Sequence, residues 1–478
     1  MPHAVHIPVS DLQNLSIESH SIDYVPAAER YGTPLRLFTI WFSINLSIVC
    51  AAVGTIASGY GLSLGWSIAG LAIGNAIGSV FMAAHSAQGP HLGVPQMIQS
   101  RAQFGVLGAG LPLIAVVITY LLYTAADGLL VEGSFRALLP MSNTTALVVF
   151  GAITLIIAYV GYELIHRLGV FVMVLSGLLF AVTVCVLIRH GATPAMAGAS
   201  APTHVNASAL MLTITQSAAW SLSFGPYVAD YSRYLPQSTS ASKTFWFTGV
   251  GCFLGASSIM AFGVYLGFTD PLLVADPGTA ITQAFGSGRG LVRILIIVGV
   301  LEGNVMNLYS AYMSSATIFS GLQRMQRIGK LLKFVIMIAL IAIATLVSVV
   351  AQDDFQTYFG DILNAMIYLL VPWSAINLAD YYVVRRGNYV IADFFRRDGQ
   401  YGAFRWRTIA VYLFGIAVQV PFMSLSFFKG PIAEKIGADL AWLPGLLIPA
   451  ALYVITERRA SFRDPSNRSG APEPTVRP

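Results

Sequence analysis

The chain has 478 residues, of which 56% are hydrophobic and only 10% are charged. Soluble domains carry about 25% charged residues, so this composition excludes an ordinary soluble protein and indicates a membrane protein. The net charge of +5 fits Lys- and Arg-rich cytoplasmic loops. Since no exposed basic patch is interleaved with aromatic residues, we predict no nucleic-acid partner.

Apolar runs of about 20 residues, the length that crosses a bilayer, recur along the chain. We predict an all-α integral membrane protein with twelve transmembrane helices in the membrane domain 37–457. The N-terminal segment 1–36 is predicted to be cytoplasmic without a removable signal, and the tail 458–478 to be disordered and cytoplasmic. Spans one to twelve lie near residues 37–60, 64–84, 107–132, 145–163, 168–189, 209–229, 244–268, 291–319, 331–351, 358–379, 408–428 and 441–457.

The distribution of Lys and Arg predicts the orientation. With twelve spans and an inner N-terminus, 21 of the 27 basic residues fall in inner segments and 6 in outer ones. This bias predicts that both termini are cytoplasmic, in a multi-pass protein of the inner or plasma membrane.

Spans one and six carry interruptions at bilayer depth. Span six is broken by Gly225-Pro226, because proline removes a backbone donor and glycine loosens the helix. Span one contains the polar residue Asn45, and its second half is loosened by Gly54, Gly59 and Gly61. Broken helices of this kind mark substrate sites in secondary transporters, although a proline kink without a ligand is the alternative for span six.

The two broken helices each begin a group of five spans. This pattern predicts an inverted repeat of five plus five helices, with repeat one at about 37–189 and repeat two at about 209–379. The remaining helices, 408–457, are appended outside the repeat. The site is expected between the two broken helices.

Span two has glycines at four-residue spacing, Gly70, Gly74 and Gly78, which predict a close-packing face. The polar stretch after it is interpreted as a cytoplasmic loop in which His85 and His91 are solvated. No metal site is predicted there, because no second ligand pair has the right spacing. The three cysteines are interpreted as small core residues and not as disulfides or metal ligands, namely Cys50, Cys185 and Cys252.

Span three places Tyr120, Tyr123 and Asp127 on one face of a helix. An ionisable side chain inside a span is costly, so a functional or interior role is expected for Asp127. At the cytoplasmic edge of span ten, Asp380 lies near Arg385 and Arg386. A surface ion pair or a cap is the preferred interpretation there.

Span eight contains Glu302, Asn304 and Asn307. Burial disfavours an ionised carboxylate, so Glu302 is a candidate for taking up and releasing a proton. The two asparagines offer donors and acceptors that can bind the edge of a heterocycle. The alternative is that they bond neighbouring helices. No nucleophile–base pair or metal cluster is evident in the spans, so we predict that the protein is not an enzyme and has no catalytic residues.

Several motifs, in this order, resemble the nucleobase–cation symporter-1 family, in its purine–cytosine permease branch. The resemblance covers about residues 31–389 and rests on the combination of YGTPLRLFTIWFSIN, GVPQMIQSRAQFG, FGPYVADYSRYLP, GNVMNLYSAY and INLADYYVVRRGNY. It implies the five-plus-five fold with two further helices, and uptake of a purine, cytosine or related base with a cation.

The resemblance also implies site residues. The base is expected between Tyr123 and an aromatic residue of span six, Trp220 or its competitor Phe224. Further expected substrate contacts are Tyr120, Asn45, Asp127, Asn304 and Asn307. The family usually has Trp at the position of Tyr123, so the stacking face here is smaller.

The coupling ion is predicted from a second departure. The resemblance implies that sodium-dependent bacterial members bind the ion with Asn and Thr residues of span eight. At those positions this chain has Gly299, Glu302 and Gly303. We therefore expect proton coupling through Glu302, as the resemblance to fungal members implies, with direct Na⁺ binding by Glu302 as the alternative. No other cofactor is expected.

Two alternatives to proton-coupled base uptake stay open. One is a Na⁺-coupled permease for allantoin, hydantoin or uracil, since fold does not fix substrate. The other is a membrane sensor that binds a base without moving it. The expected partners are a nucleobase, a coupling cation and the lipid bilayer.

Overall fold

The protein is a bundle of membrane-length helices. The computed structural model describes residues 22–189, 206–269, 282, 288–325, 327–351 and 355–463. Its helices are α1 Leu35–Ser43, α2 Ile48–Ser58, α3 Leu64–Ser86, α4 Gly89–Leu92, α5 Gln96–Phe104, α6 Gly110–Leu138, α7 Asn143–Val160, α8 Tyr162–Arg189, α9 Ala207–Leu222, α10 Val228–Ser232, α11 Ala241–Thr269, α12 Arg289–Gln323, α13 Lys330–Val350, α14 Phe355–Ala379, α15 Trp406–Ala417, α16 Pro431–Ile436 and α17 Trp442–Arg463. The strands β1 Ser424–Leu425 and β2 Phe428–Lys429 pair antiparallel.

The predicted spans correspond to these helices. Eight helices in the described residues are long and apolar enough to cross a membrane, and the bent pair α1–α2 makes a ninth. The predicted all-α membrane architecture is thus confirmed, apart from the small hairpin. Span eleven is shorter than predicted: α15 ends at Ala417, and a turn containing Pro421 leads into β1. Most of the N-terminal segment and of the tail lies outside the described residues.

The first helix breaks earlier than we expected. The axes of α1 and α2 meet at 58°, and the break occupies residues 44–47, upstream of the three glycines. Ser47 caps α2 by accepting a hydrogen bond from the backbone N–H of Cys50 (3.3 Å). Gly54 has a different role, because a Cβ there would lie 2.0 Å from the carbonyl oxygen of Met260. The break in the first helix is therefore marked by the Ser47 cap, and the three glycines lie downstream of it.

The second break lies where the sequence predicts it. Helix α9 ends at Leu222, a 3-10 turn covers Gly225–Tyr227, and α10 resumes at Val228. The glycine face of span two is also confirmed. A Cβ on Gly74 would lie 2.1 Å from the carbonyl oxygen of Ile214, so α3 and α9 pack backbone to backbone.

The stretch after span two is buried, which corrects the prediction of a solvated loop. It forms α4 and α5 at the end of the bundle on which residues 22–34 pack, here called the inner end. His85 is fully buried in α3; its ring stacks on Trp373 (4.9 Å between centroids), and its Nε2 lies 2.8 Å from Ser374 Oγ. His91 is exposed, as expected.

Asp380 is also buried, so the interpretation as a surface ion pair is wrong. The side chain is 0% exposed, and the residue begins the π-helical turn Asp380–Val384 that follows α14. It does pair with Arg385, whose Nε lies 3.2 Å from Oδ1. Its other donors come from three separate segments: Gln103 Nε2 (2.7 Å), Tyr389 Oη (2.8 Å) and Tyr453 Oη (2.8 Å).

The cysteines are only partly as predicted. Cys50 and Cys252 are buried among packed helices, whereas Cys185 is exposed on the surface of the bundle. All three are free thiols.

Candidate functional site

A pocket lies where the two broken helices meet α6 and α12. It is called here the central pocket. At a helix break, backbone N–H and C=O groups lose their hydrogen bonds within the helix. Such irregular backbone is tolerated in a membrane where it lines a cavity. The lining residues are Ile44, Ser47, Val49, Tyr123, Asp127, Trp220, Ser223, Phe224, Val300, Gly303 and Asn307.

Three aromatic rings form one wall of the pocket. Tyr123 and Trp220 have centroids 6.3 Å apart and planes at 80°, and Phe224 meets Trp220 at 5.9 Å and 80°. Both span-six candidates therefore line the pocket. The edge-to-face geometry leaves no parallel slot between Tyr123 and Trp220, so a base can stack between them only after one ring turns.

Asn45 holds Trp220 in place. Its Oδ1 accepts a hydrogen bond from Trp220 Nε1 (2.7 Å), and its Nδ2 donates to the carbonyl oxygen of Trp41 (2.7 Å). Asn45 is fully buried in the first break and is not among the lining residues. The structure thus places it behind the aromatic wall, where it fixes the Trp220 ring.

Asp127 and Asn307 form a polar edge of the pocket. Asn307 Nδ2 donates to Asp127 Oδ2 at 3.2 Å, and both side chains line the cavity. Asp127 is 4% exposed and has no cationic partner within the described part of the chain. The amide fixes one oxygen of the carboxyl group, while the second carboxyl oxygen is available to a ligand.

Two other predicted contacts face elsewhere. Asn304 Nδ2 donates to Thr154 Oγ1 on α7 (2.9 Å), which is the helix-bonding alternative. Tyr120 Oη donates to the carbonyl oxygen of Ser223 (2.9 Å) and so stabilises the break before α10. Neither is among the lining residues. The spacing of Asn304 and Asn307 did not reveal this, because Thr154 lies 150 residues away in sequence.

Glu302 lies beside the pocket, on another face of α12. It is 0% exposed, and its Oε1 accepts a hydrogen bond from Ser43 Oγ at 2.5 Å. A Cβ on Gly169 of α8 would lie 2.7 Å from the same oxygen. The other oxygen, Oε2, is buried and has no hydrogen-bond partner among the described residues. The carboxyl group therefore sits where α1, α8 and α12 meet.

Sequence reasoning missed three residues of this region. These residues are Ser43, Ser223 and Gly169, none of which the sequence analysis singles out. The cue available for Ser43 was its place beside Asn45 and Ser47 in an otherwise apolar helix, because such polar side chains cap helices or bond across a gap.

A pocket enclosed by two broken helices within a membrane bundle defines a secondary transporter. Over residues 24–445 the sequence matches the family described as permeases for cytosine/purines, uracil, thiamine and allantoin. The chain belongs to this family, which confirms the resemblance seen in its motifs.

Individual relatives cover nearly the whole chain. It is 36% identical over 456 residues to the putative purine-cytosine permease YxlA of Bacillus subtilis (strain 168), covering 94% of this chain and 99% of that protein. It is 23% identical over 461 residues to the purine-cytosine permease fcyB of Emericella nidulans, covering 92% and 88%. Among solved structures it resembles Mhp1, a nucleobase-cation-symport-1 family transporter in a closed conformation with bromovinylhydantoin bound, with a TM-score of 0.76, 20% identity and coverage of 94% and 97%.

Proposed function

We propose that the protein takes up an amino-bearing nucleobase, cytosine or a purine, together with a proton. The observation that carries this proposal is the central pocket, where a wall of aromatic rings adjoins one carboxyl group and one amide. Flat heterocycles bind by stacking on such rings and by hydrogen bonds at one edge. Membership in the permease family supports transport over catalysis or sensing.

The polar edge favours bases that present an amino group. Asp127 and Asn307 offer carboxyl and amide oxygens, which accept hydrogen bonds. Cytosine and adenine present an exocyclic N–H to such acceptors. Uracil and hydantoin have no exocyclic N–H, and two carbonyl oxygens flank their imide N–H, so at this edge their oxygens would face the oxygens of the site. We therefore place these two below cytosine and adenine.

Stacking requires one ring to move. Trp220 is fixed by Asn45, so we assign the movement to Tyr123, which turns to lie against the second face of the base. Phe224 then closes the end of the pocket beside Trp220.

Coupling is assigned to Glu302. Its donor Ser43 is the last residue of α1, and the next residue, Ile44, lines the central pocket. Protonation of Glu302 and binding of the base thus act on the same break, residues 44–47. Because both ligands must favour one state for a gradient to be used, this shared break is a physical route for coupling.

A sodium ion is the alternative coupling ion. Glu302 and Ser43 supply oxygen ligands, which hard cations prefer. In the cycle that we favour, Glu302 is protonated outside, the base binds, and both leave on the inner side. This direction is supported by the charge bias, from which we predict that both termini are cytoplasmic and that the protein lies in the inner or plasma membrane.

The test is uptake of radiolabelled cytosine and adenine into proteoliposomes, with pH and sodium gradients imposed separately. Accumulation driven by external acid without sodium is expected. Accumulation that requires sodium would overturn the proton assignment, and absence of uptake under both gradients would overturn the substrate class. Counterflow of labelled cytosine separates transport from binding by a sensor.

A further inference from the structure

Helices α1 and α8 pack side by side, and their line of contact is called here the α1–α8 seam. At its deep end, a Cβ on Gly169 would lie 2.7 Å from Glu302 Oε1 and 3.1 Å from Ser43 Oγ. At its other end, Arg36 Nη1 lies 3.6 Å from Glu163 Oε2. The seam therefore leads from the buried carboxyl group of Glu302 to a pair of charged residues near the start of both helices.

His166 is a titratable side chain between these two ends. It follows Glu163 by three residues and precedes Gly169 by three, so about one turn of helix, roughly 4.5 Å along the axis, separates it from each. Residues at this spacing are neighbours on one side of a helix. Glu163 accepts a hydrogen bond from Tyr31 of the segment that packs on the inner end (3.2 Å). His166 is half-buried, whereas Glu302 is fully buried, so the seam becomes more exposed towards the inner end.

Charged groups surround His166 from both helices of the seam. Arg36 of α1 acts on it electrostatically, as do Glu163 and Arg167 of α8. Arg167 Nε donates to Glu163 Oε1 (3.4 Å), so this carboxylate lies between the two arginines. Two cations against one anion disfavour a lasting positive charge on the ring, which suits a group that passes a proton on and does not keep it.

We propose that His166 passes the proton of Glu302 to the inner end of the seam, an inference that rests on the proposed proton coupling. The O–H bond of the Glu302 carboxyl group breaks, and its proton adds to a nitrogen of the neutral imidazole ring, which leaves Glu302 as a carboxylate. The imidazolium then loses a proton to water beside Glu163, and the neutral ring is restored. Because proton transfer acts over a hydrogen bond or one intervening water, the turn of helix between Glu302 and His166 calls for one bridging water in the seam.

The test is net uptake of labelled cytosine into proteoliposomes under an inward proton gradient, compared with counterflow at equal pH. In His166→Gln, net uptake should fall about tenfold, because a positioned side chain speeds proton transfer about 100- to 10,000-fold and the conformational change sets how much of this is seen. Counterflow should stay at the wild-type level, since exchange of bases needs no release of the proton. The matched control is His91→Gln, an exposed histidine of α4, which should behave as the wild type in both assays.

Chemical rescue separates a proton relay from a structural role. Imidazole in the lumen should restore net uptake by His166→Ala, because it can occupy the space left by the ring and accept the proton. Pyrazole, which has the same shape and is a much weaker base, should not. Net uptake by His166→Gln at the wild-type rate would overturn the relay while leaving proton coupling intact, and so would an equal loss of uptake and counterflow without rescue. Wild-type uptake that requires sodium would overturn the proposed coupling ion itself, before any variant is measured, and the relay with it.

Discussion

The protein holds its buried carboxyl groups in two opposite ways. At the inner end, Asp380 receives four hydrogen bonds, one of them from the cation Arg385. In the middle of the bundle, Glu302 and Asp127 each receive one hydrogen bond from a neutral side chain. A buried charge is stable only when it is paired and its remaining lone pairs are satisfied.

The number of hydrogen bonds distinguishes a structural carboxylate, Asp380, from two carboxyl groups that can bind a proton or a ligand, Glu302 and Asp127. Asp380 has the partners that an ionised carboxylate needs, and these partners come from α5, from residues 385–389 and from α17. Glu302 and Asp127 lack a cation in the described part of the chain, so ligand or proton binding changes their energetic balance most. The number of donors thus distinguishes the roles better than burial, which is nearly complete for all three.

The largest effect is expected for Glu302→Gln. Glutamine keeps the shape of the side chain but cannot carry a proton, so accumulation driven by a pH gradient should fall by the whole coupling factor, roughly 5- to 150-fold. Exchange of labelled cytosine at equal pH should persist. Proteoliposome uptake and counterflow measure the two properties.

The matched control is Glu132→Gln, because Glu132 already has a cation, Arg136, at 3.6 Å. Accumulation by Glu302→Gln at the wild-type level would remove Glu302 from the coupling step and would break the comparison.

Asp380→Asn should act on stability. Loss of the charge leaves Arg385 without its carboxylate and weakens three further hydrogen bonds, at a cost of about 3–5 kcal/mol in the free energy of unfolding. Thermal unfolding in detergent measures this cost. Cytosine affinity of the folded fraction should stay unchanged. Asp398→Asn, an exposed partner of Arg396, serves as the control and should unfold like the wild type.

The sequence predicted the spans and the position of the break in span six because apolar length and proline are local signals. It failed on the inner end for a physical reason. Three polar side chains there form hydrogen bonds with α14 and the residue after it, far away in sequence: His85 with Ser374, Gln88 with Asn377 and Gln103 with Asp380. A polar stretch without visible partners is typical of a loop, and only the fold shows that it is buried.

The candidate site was predictable to a similar degree. Asp127 and Glu302 were predicted correctly to face the interior of the bundle, because an ionisable side chain inside an apolar span is costly and no neighbour in sequence can pair with it. The direction of each side chain was not predictable, because one turn of helix separates Asn307 in the pocket from Asn304 against Thr154. The break at residues 44–47 was placed too late, because the signal was a serine cap instead of a glycine.

Asp127→Asn should change which bases are bound. The substitution keeps the shape but replaces one acceptor oxygen with an N–H, so the affinity for cytosine and adenine should fall about 10- to 100-fold, the range for a hydrogen bond to a charged or strongly polar group. Uracil, whose carbonyl oxygens suit a donor, should lose less or gain. Competition with labelled cytosine measures the order.

Asn304→Ala is the control for Asp127, since Asn304 bonds Thr154 and does not line the pocket. An unchanged order of bases in Asp127→Asn would mean that Asp127 only anchors Asn307, and it would then belong with Asp380 as a structural group.

Tyr123→Ala should have the smallest effect, because it removes one stacking face and leaves both carboxyl groups intact. Base–aromatic stacking contributes about 1–3 kcal/mol, and the smaller ring of tyrosine places this loss at about 1–2 kcal/mol, or roughly 5- to 30-fold in affinity. Tyr123→Phe keeps the ring and should bind within about threefold of the wild type. Equilibrium binding of labelled cytosine separates the two variants. If Tyr123→Ala binds as tightly as Tyr123→Phe, the ring does not turn onto the base, and recognition rests on Trp220 and the polar edge.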